Sequence, residues 1–73
     1  MKPSLGRIVI VTTPNQAING QTEHAAMITQ VWSDTKINLM AMPGAGDPLP
    51  MGSVDFYDPP HDAIPSWRWP PRA

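Results

Sequence analysis

Apolar residues in this chain fall in short runs with a period near two, and no stretch shows the three-to-four spacing of an amphipathic helix. The first run, Gly6 to Thr12, reads Gly-Arg-Ile-Val-Ile-Val-Thr. Its β-branched density and its length predict a strand. Both of its faces are apolar, so it is expected to be buried on both sides or to turn one side to a partner subunit. Thr13 to Glu23 is polar and carries Pro14 and Asn19-Gly20. This predicts a long hairpin loop with a turn at its tip. His24 to Trp32 contains Ala-Ala-Met, which propensity alone allows as helix. Ile28, Thr29, Val31 and Trp32 pull it toward strand. Ser33-Asp34-Thr35 predicts a short turn, and Lys36 to Met42 then alternates. Ile37, Leu39 and Ala41 share one face, with Ile37 and Leu39 expected in the core. Asn38, Met40 and Met42 share the other, and methionines facing outward mark an adaptable contact surface.

The second half of the chain is punctuated by proline. Pro43 to Pro48 predicts a wide turn, Gly52 to Tyr57 a fourth strand with Val54 and Phe56 on one face, and Asp58 to Asp62 a rigid loop. Ile64 to Trp69 predicts a last extended segment, closed by Pro70-Pro71, which are expected to protect a sheet edge from further pairing. The expected fold is therefore all-β: one domain spanning 1–73, a small five-stranded SH3-like barrel with a proline-rich C-terminal segment.

Composition sharpens this picture. Seventy-three residues allow a single domain with a small core. Such a core supplies only about 3–5 kcal/mol, so small domains usually carry a staple. With no cysteine a disulfide is excluded, and with only His24 and His61 a structural zinc is not expected. Self-association or docking into a larger assembly remains, so a homo-oligomer is expected. Ten prolines, eight of them from Pro43 onward, disfavour helix there. The net charge of −1 argues against non-specific nucleic-acid binding. No apolar run is long enough for a membrane span, and the lack of cysteine fits a reducing cytoplasm.

Candidate chemistry is sparse. Trp67 and Trp69, two apart on a strand, would share a face, with Arg68 on the other side. That face would stack a nucleobase, at roughly 1–3 kcal/mol per base, or anchor a protein. Alternatively, one or both tryptophans close the bottom of the barrel. Arg7, Lys36, Arg68 and Arg72 would clamp an anion if an oligomer gathers them, because the arginine fork bonds two oxygens at once; otherwise they are scattered solubilising charge. Trp32 is either a rim-packing residue or a ligand contact. Asp58, His61 and Asp62 have metal-ligand chemistry, yet the prolines fix that loop without a metal, and it reads as solvated. His24, beside Glu23, is expected to cap the loop–strand junction. Gly44-Ala45-Gly46 lacks the Gly-Lys-Ser/Thr of a phosphate loop. No nucleophile is marked by an elbow or a triad. The expectation is a protein without catalysis, cofactor or metal.

The opening Met-Lys-Pro-Ser-Leu-Gly-Arg-Ile-Val resembles the start of a family of very small tailed-phage and prophage proteins. So do Ala26 to Thr35 with Ile37-Asn38-Leu39, and the close, Ser66-Trp67-Arg68-Trp69-Pro70-Pro71-Arg72. The similarity covers most of the chain apart from the loops at 13–23 and 43–50. The family's closing motif reads Trp-His-Trp-Pro, and Arg68 stands in place of the histidine. The resemblance implies a phage origin and a small compact fold rather than an activity. The expected function is an anti-defence or host-takeover protein in the host cytoplasm that sequesters a nucleotide signal or blocks a host protein. The alternative is a virion component, as a decoration or connector piece, which predicts apolar exposure on the isolated subunit.

Overall fold

The structure, a computed structural model that describes residues 2–71, contains five strands and, among the described residues, no helix. β1 is Ile8–Thr12, β2 Glu23–Val31, β3 Lys36–Met42, β4 Leu49–Phe56 and β5 Ser66–Arg68. They close on themselves in chain order, with β5 returning to β1. Every neighbouring pair is antiparallel except β4 and β5, which run parallel. This is the all-β, five-stranded SH3-like barrel that the alternation predicts.

Period-two alternation fills the interior. Val9 and Val11 enter from β1, Ala26 and Ile28 from β2, Ile37, Leu39 and Ala41 from β3, Val54 from β4 and Trp67 from β5. Leu49, Met51, Phe56 and Trp69 pack around them. β4 starts at Leu49 rather than Gly52 because Leu49 and Met51 both reach the core on either side of Pro50. β5 is shorter than the predicted Ile64 to Trp69, since Pro65 and Pro70 lack the N–H that a ladder needs. It also has a partner on each side, so closure of the barrel, and not Pro70-Pro71, removes the sheet edge.

Two bulges bend the sheet enough to close. The β2–β3 register shifts between Ile28 and Gln30, and the β3–β4 register shifts between Ile37 and Leu39. An extra residue in one strand increases local twist and curvature. Both shifts flank Asn38. Its Oδ1 accepts the Ser53 N–H at 2.8 Å and the Trp32 Nε1–H at 2.8 Å. Ser53 has a φ of 53°, a left-handed conformation that a serine adopts only when neighbours hold it. The Asn38 carbonyl supplies that hold.

The hairpin loop after β1 ends in the predicted turn. Asn19 and Gly20 have φ of 54° and 78°, and Ile18 and Gln21 exchange two backbone hydrogen bonds across them. Positive φ at both central positions fits the twist of a two-residue hairpin, and Asn-Gly tolerates it best. Thr13, buried, donates its hydroxyl to Gln16 O at 2.6 Å and fixes the base of the loop. At the opposite end of the barrel, Trp67 Nε1 donates to Thr35 O at 2.9 Å. The Phe56 N–H donates to the same carbonyl at 2.9 Å. One turn carbonyl thus ties β4 and β5 to the β2–β3 hairpin.

Replacing Asn38 with Ala leaves the strained Ser53 backbone without its acceptor. Urea unfolding is expected to show a loss of about 1–2 kcal/mol for Asn38→Ala, the size of a structural hydrogen bond to a backbone donor. A loss below roughly 0.3 kcal/mol would remove Asn38 as the support of the bulge.

Candidate surface groove

The outward side of β1 and β2 is apolar. Cross-strand partners lie on the same face, so register defines its rows. Ile8 pairs with Met27, which pairs with Met40, which pairs with Pro50. Ile10 pairs with Ala25, which pairs with Met42. Ile8 and Met27 are each more than two-fifths exposed. The double-sided apolar character of Ile8-Val9-Ile10-Val11 is explained directly: Val9 and Val11 fill the core, while Ile8 and Ile10 floor an open groove.

That groove has a volume of about 360 Å³ and is lined by Ile8, Ile10, Ala25, Glu23 and Pro70 with the backbone-flanking Val9 and His24. β1 supplies the floor. Pro70, just beyond β5, forms one wall. Glu23, the first residue of β2, stands at the rim, where Arg68 Nη2 donates to its Oε2 at 2.9 Å. Arg68 pairs across β1 with Ile10, so the guanidinium lies on the outer face beside the floor. Its side chain is only 19% exposed, against 48% for Glu23. Arg68 Nε is buried with no hydrogen-bond partner, and so are His24 Nε2 and Ser66 Oγ. A buried donor on a cation without an acceptor costs free energy. That Nε is shielded from solvent, so the rim presents the guanidinium through its Nη atoms, one of which holds Glu23.

The other sequence-predicted site residues separate. Trp67 is 1% exposed, inside the barrel, so the broad surface shared by Trp67 and Trp69 does not exist and the core reading of Trp67 holds. The two side chains do share a side, but it is the inner one, and their rings meet edge to face at 5.3 Å. Two large rings on a three-residue strand bury far more apolar area inside than outside. Trp69 is half-buried and closes the barrel below Trp67, with the Arg7 guanidinium 5.5 Å from its ring centroid in cation–π geometry. Arg7 and Trp69 each precede a groove residue, Ile8 and Pro70, so by alternation this pair lies on the other side of the strands from the groove. Trp32 is exposed just beyond β2 and donates its Nε1–H to Asn38, and it does not line the groove. Arg72 lies outside the described residues.

Within one chain the basic residues do not gather on an anion: Lys36 faces Asp55 at 3.8 Å, and Arg68 faces Glu23. His24 does not cap the loop. It is buried on the inner face opposite Val11. In the Asp58–Asp62 loop, His61 Nδ1 accepts the Ala63 N–H at 2.9 Å and the Ile64 N–H at 3.3 Å, so the ring organises the loop. Among the described residues no three His, Asp or Glu side chains are grouped to hold a metal. No helix among them is long and apolar enough to cross a membrane. None of the residues lining the groove was among the site candidates read from the sequence, and Glu23 and Pro70 were the least legible of them. Only a β1–β5 register, invisible in the sequence, sets them together.

No family model, curated protein or solved structure matches the chain. The fold and groove therefore stand on this chain's own geometry.

The rim pair makes asymmetric demands. Glu23→Ala removes the acceptor and leaves a largely buried guanidinium unpaired. Arg68→Met removes the charge and the orphaned Nε together, in a similar volume. Chemical denaturation is expected to show a cost of about 1–2 kcal/mol for Glu23→Ala and under about 0.5 kcal/mol for Arg68→Met. The reverse order would mean that the pair is not the feature holding this rim.

Proposed function

We propose that this chain is a non-catalytic phage binding protein that captures a small nucleotide signal of the host, in the host cytoplasm, as an anti-defence or host-takeover protein. The phage setting rests on the sequence resemblance. The ligand class rests on one observation: an apolar groove whose rim carries the Arg68 guanidinium and the Glu23 carboxylate side by side.

A groove of about 360 Å³ is in the size range of small-molecule sites. Its floor, Ile8, Ile10 and Pro70, suits a flat ring held by dispersion. Its rim offers guanidinium donors from Arg68 and a carboxylate acceptor from Glu23 side by side. A nucleobase edge presents both acceptor and donor atoms, and a phosphate takes the arginine fork. With Trp67 in the core, stacking on a two-tryptophan platform plays no part, and the aliphatic floor replaces it.

A second reading has its own observation. The exposed Met27, together with Met40 and Met42, suits an adaptable protein contact. On that reading the chain blocks a host protein or decorates a virion.

Calorimetric titration with a panel of mononucleotides and linear and cyclic oligonucleotides separates the readings. Binding of at least one member is expected, weakened at least about tenfold, or about 1.4 kcal/mol, by Arg68→Gln. Heat with no member of the panel, or binding indifferent to both Arg68→Gln and Ile10→Glu, overturns the nucleotide reading. Sedimentation of the protein with purified phage particles would support the virion role instead.

A further inference from the structure

The β1–β2 loop and the turn between β3 and β4 are joined at their tips by a side-chain amide: Asn19 Nδ2 donates to Ala45 O. A Cβ placed on Gly46 would stand 4.0 Å from the same nitrogen, so the turn closes on the amide itself. Asn19 is followed by Gly20, and both are exposed, with φ of 54° and 78°. Ile18 and Gln21 bond each other across this tip, and the Gly20 N–H between them has no partner among the described residues. A free backbone nitrogen thus follows directly on a primary amide, with open space around Gly20 and no side chain to shield it.

We infer that Asn19 is a self-modification site: in the folded protein its side-chain amide is lost to attack by the Gly20 nitrogen, and the reaction unties the two loops. The attack is intramolecular, so its entropic cost is already met by the chain. A bond forms between Gly20 N and Asn19 Cγ. The Cγ–Nδ2 bond breaks, the Gly20 N–H proton passes through solvent to the departing nitrogen, and ammonia leaves. The product is a cyclic succinimide. Water then adds to one of its two carbonyls. Opening at Cγ gives an aspartate in the original backbone, and opening at the main-chain carbonyl gives an isoaspartate, whose chain runs through Cβ. Water is the co-reactant, and nothing is oxidised or reduced.

The other two asparagines lack these conditions. Asn15 precedes Gln16, whose N–H donates to Thr13 O at 3.1 Å and is held in its own turn. Asn38 lies inside β3, before the core residue Leu39, and its Oδ1 holds both Ser53 N and Trp32 Nε1. Attack there would need the sheet to come apart. At Asn19 it needs a local opening of the loop tip, which costs far less than opening the barrel.

The atom that leaves is the atom that holds the turn. An ionised carboxylate is an acceptor without a donor, so at position 19 it sets oxygen against the Ala45 carbonyl. The net charge of −1 becomes one unit more negative. An isoaspartate also lengthens the backbone between Ile18 and Gln21, which a two-residue turn does not accommodate. The loosening stops at the base of the loop, where Thr13 N donates to Thr22 O at 2.8 Å and the Thr13 hydroxyl donates to Gln16 O. Glu23 and the groove floor therefore keep their places, and the inference stands apart from the ligand reading.

Incubation of the full chain at mildly alkaline pH, followed by peptide mapping with mass spectrometry, tests the chemistry. Asn19 is expected to convert to a mixture of aspartate and isoaspartate at least about tenfold faster than Asn15 or Asn38. A parallel sample unfolded in urea separates local from global opening. The folded rate at Asn19 is expected within about tenfold of the unfolded rate, because loop tips open at little cost. Attack that needed the whole barrel open would be slowed by the unfolding constant, about a thousandfold or more. That slowing, or conversion of Asn15 or Asn38 as fast as Asn19, overturns the inference. Amide hydrogen exchange reads the release. In the converted protein, and in Asn19→Asp, the amides of residues 44–47 are expected to exchange faster than in the unconverted chain, with those of Leu39 and Val11 unchanged. Equal exchange at 44–47 before and after conversion would show that the amide does not hold the turn.

Discussion

The barrel depends on one buried indole. Trp67 sits on a strand of only three residues, yet that strand bonds β1 on one side and β4 on the other. A three-residue ladder is too short to hold closure by itself. The Trp67 ring supplies the rest. It fills the interior, meets Phe56 edge on at 4.9 Å and Trp69 edge on at 5.3 Å, and satisfies its single donor on the Thr35 carbonyl. A fully buried tryptophan needs that partner, because an unbonded N–H in an apolar interior costs more than the bond returns. Closure, core and the β2–β3 turn are thus one cooperative unit.

Everything on the outside follows from what the inside takes. Because Trp67 goes in, Arg68 must go out, where it reaches Glu23 across the end of β1. Because Val9 and Val11 go in, Ile8 and Ile10 must go out, and the same alternation sends Met27, Met40 and Met42 outward. The groove is therefore a by-product of strand parity. Its walls come from the residues that flank the buried set. The bulges on either side of Asn38 supply the curvature, and a one-residue slip in either register would exchange core for surface.

Much of this was legible in the residues. Alternation over Lys36 to Met42 located a strand and put Ile37 and Leu39 in the core, while the side taken by Met40 and Met42 stayed open until the register was seen. Asn19-Gly20 located a hairpin turn, because few pairs tolerate positive φ twice. Parity also put Trp67 and Trp69 on one side of a strand. It did not say which side, because inward and outward faces read alike on a short segment between prolines. The partner of Arg68 was hidden for a different reason. Glu23 and Arg68 lie 45 positions apart and meet only through a β1–β5 pairing that no local pattern announces. Asn38 was read simply as an outward residue, since nothing in the sequence marks the bulges it supports. Pro50 hid the start of β4, as a proline inside a strand argues against one.

The exchange of indole protons with solvent deuterium, followed by nuclear magnetic resonance, reaches the central claim with no mutation. The chain has three tryptophans, and Trp32 Nε1–H is bonded but exposed. The account predicts that the Trp67 Nε1–H exchanges only when the whole barrel opens, at the rate of the slowest core amides such as those of Leu39 and Val11. Three indole protons that all exchange quickly, while those amides stay protected, would contradict it.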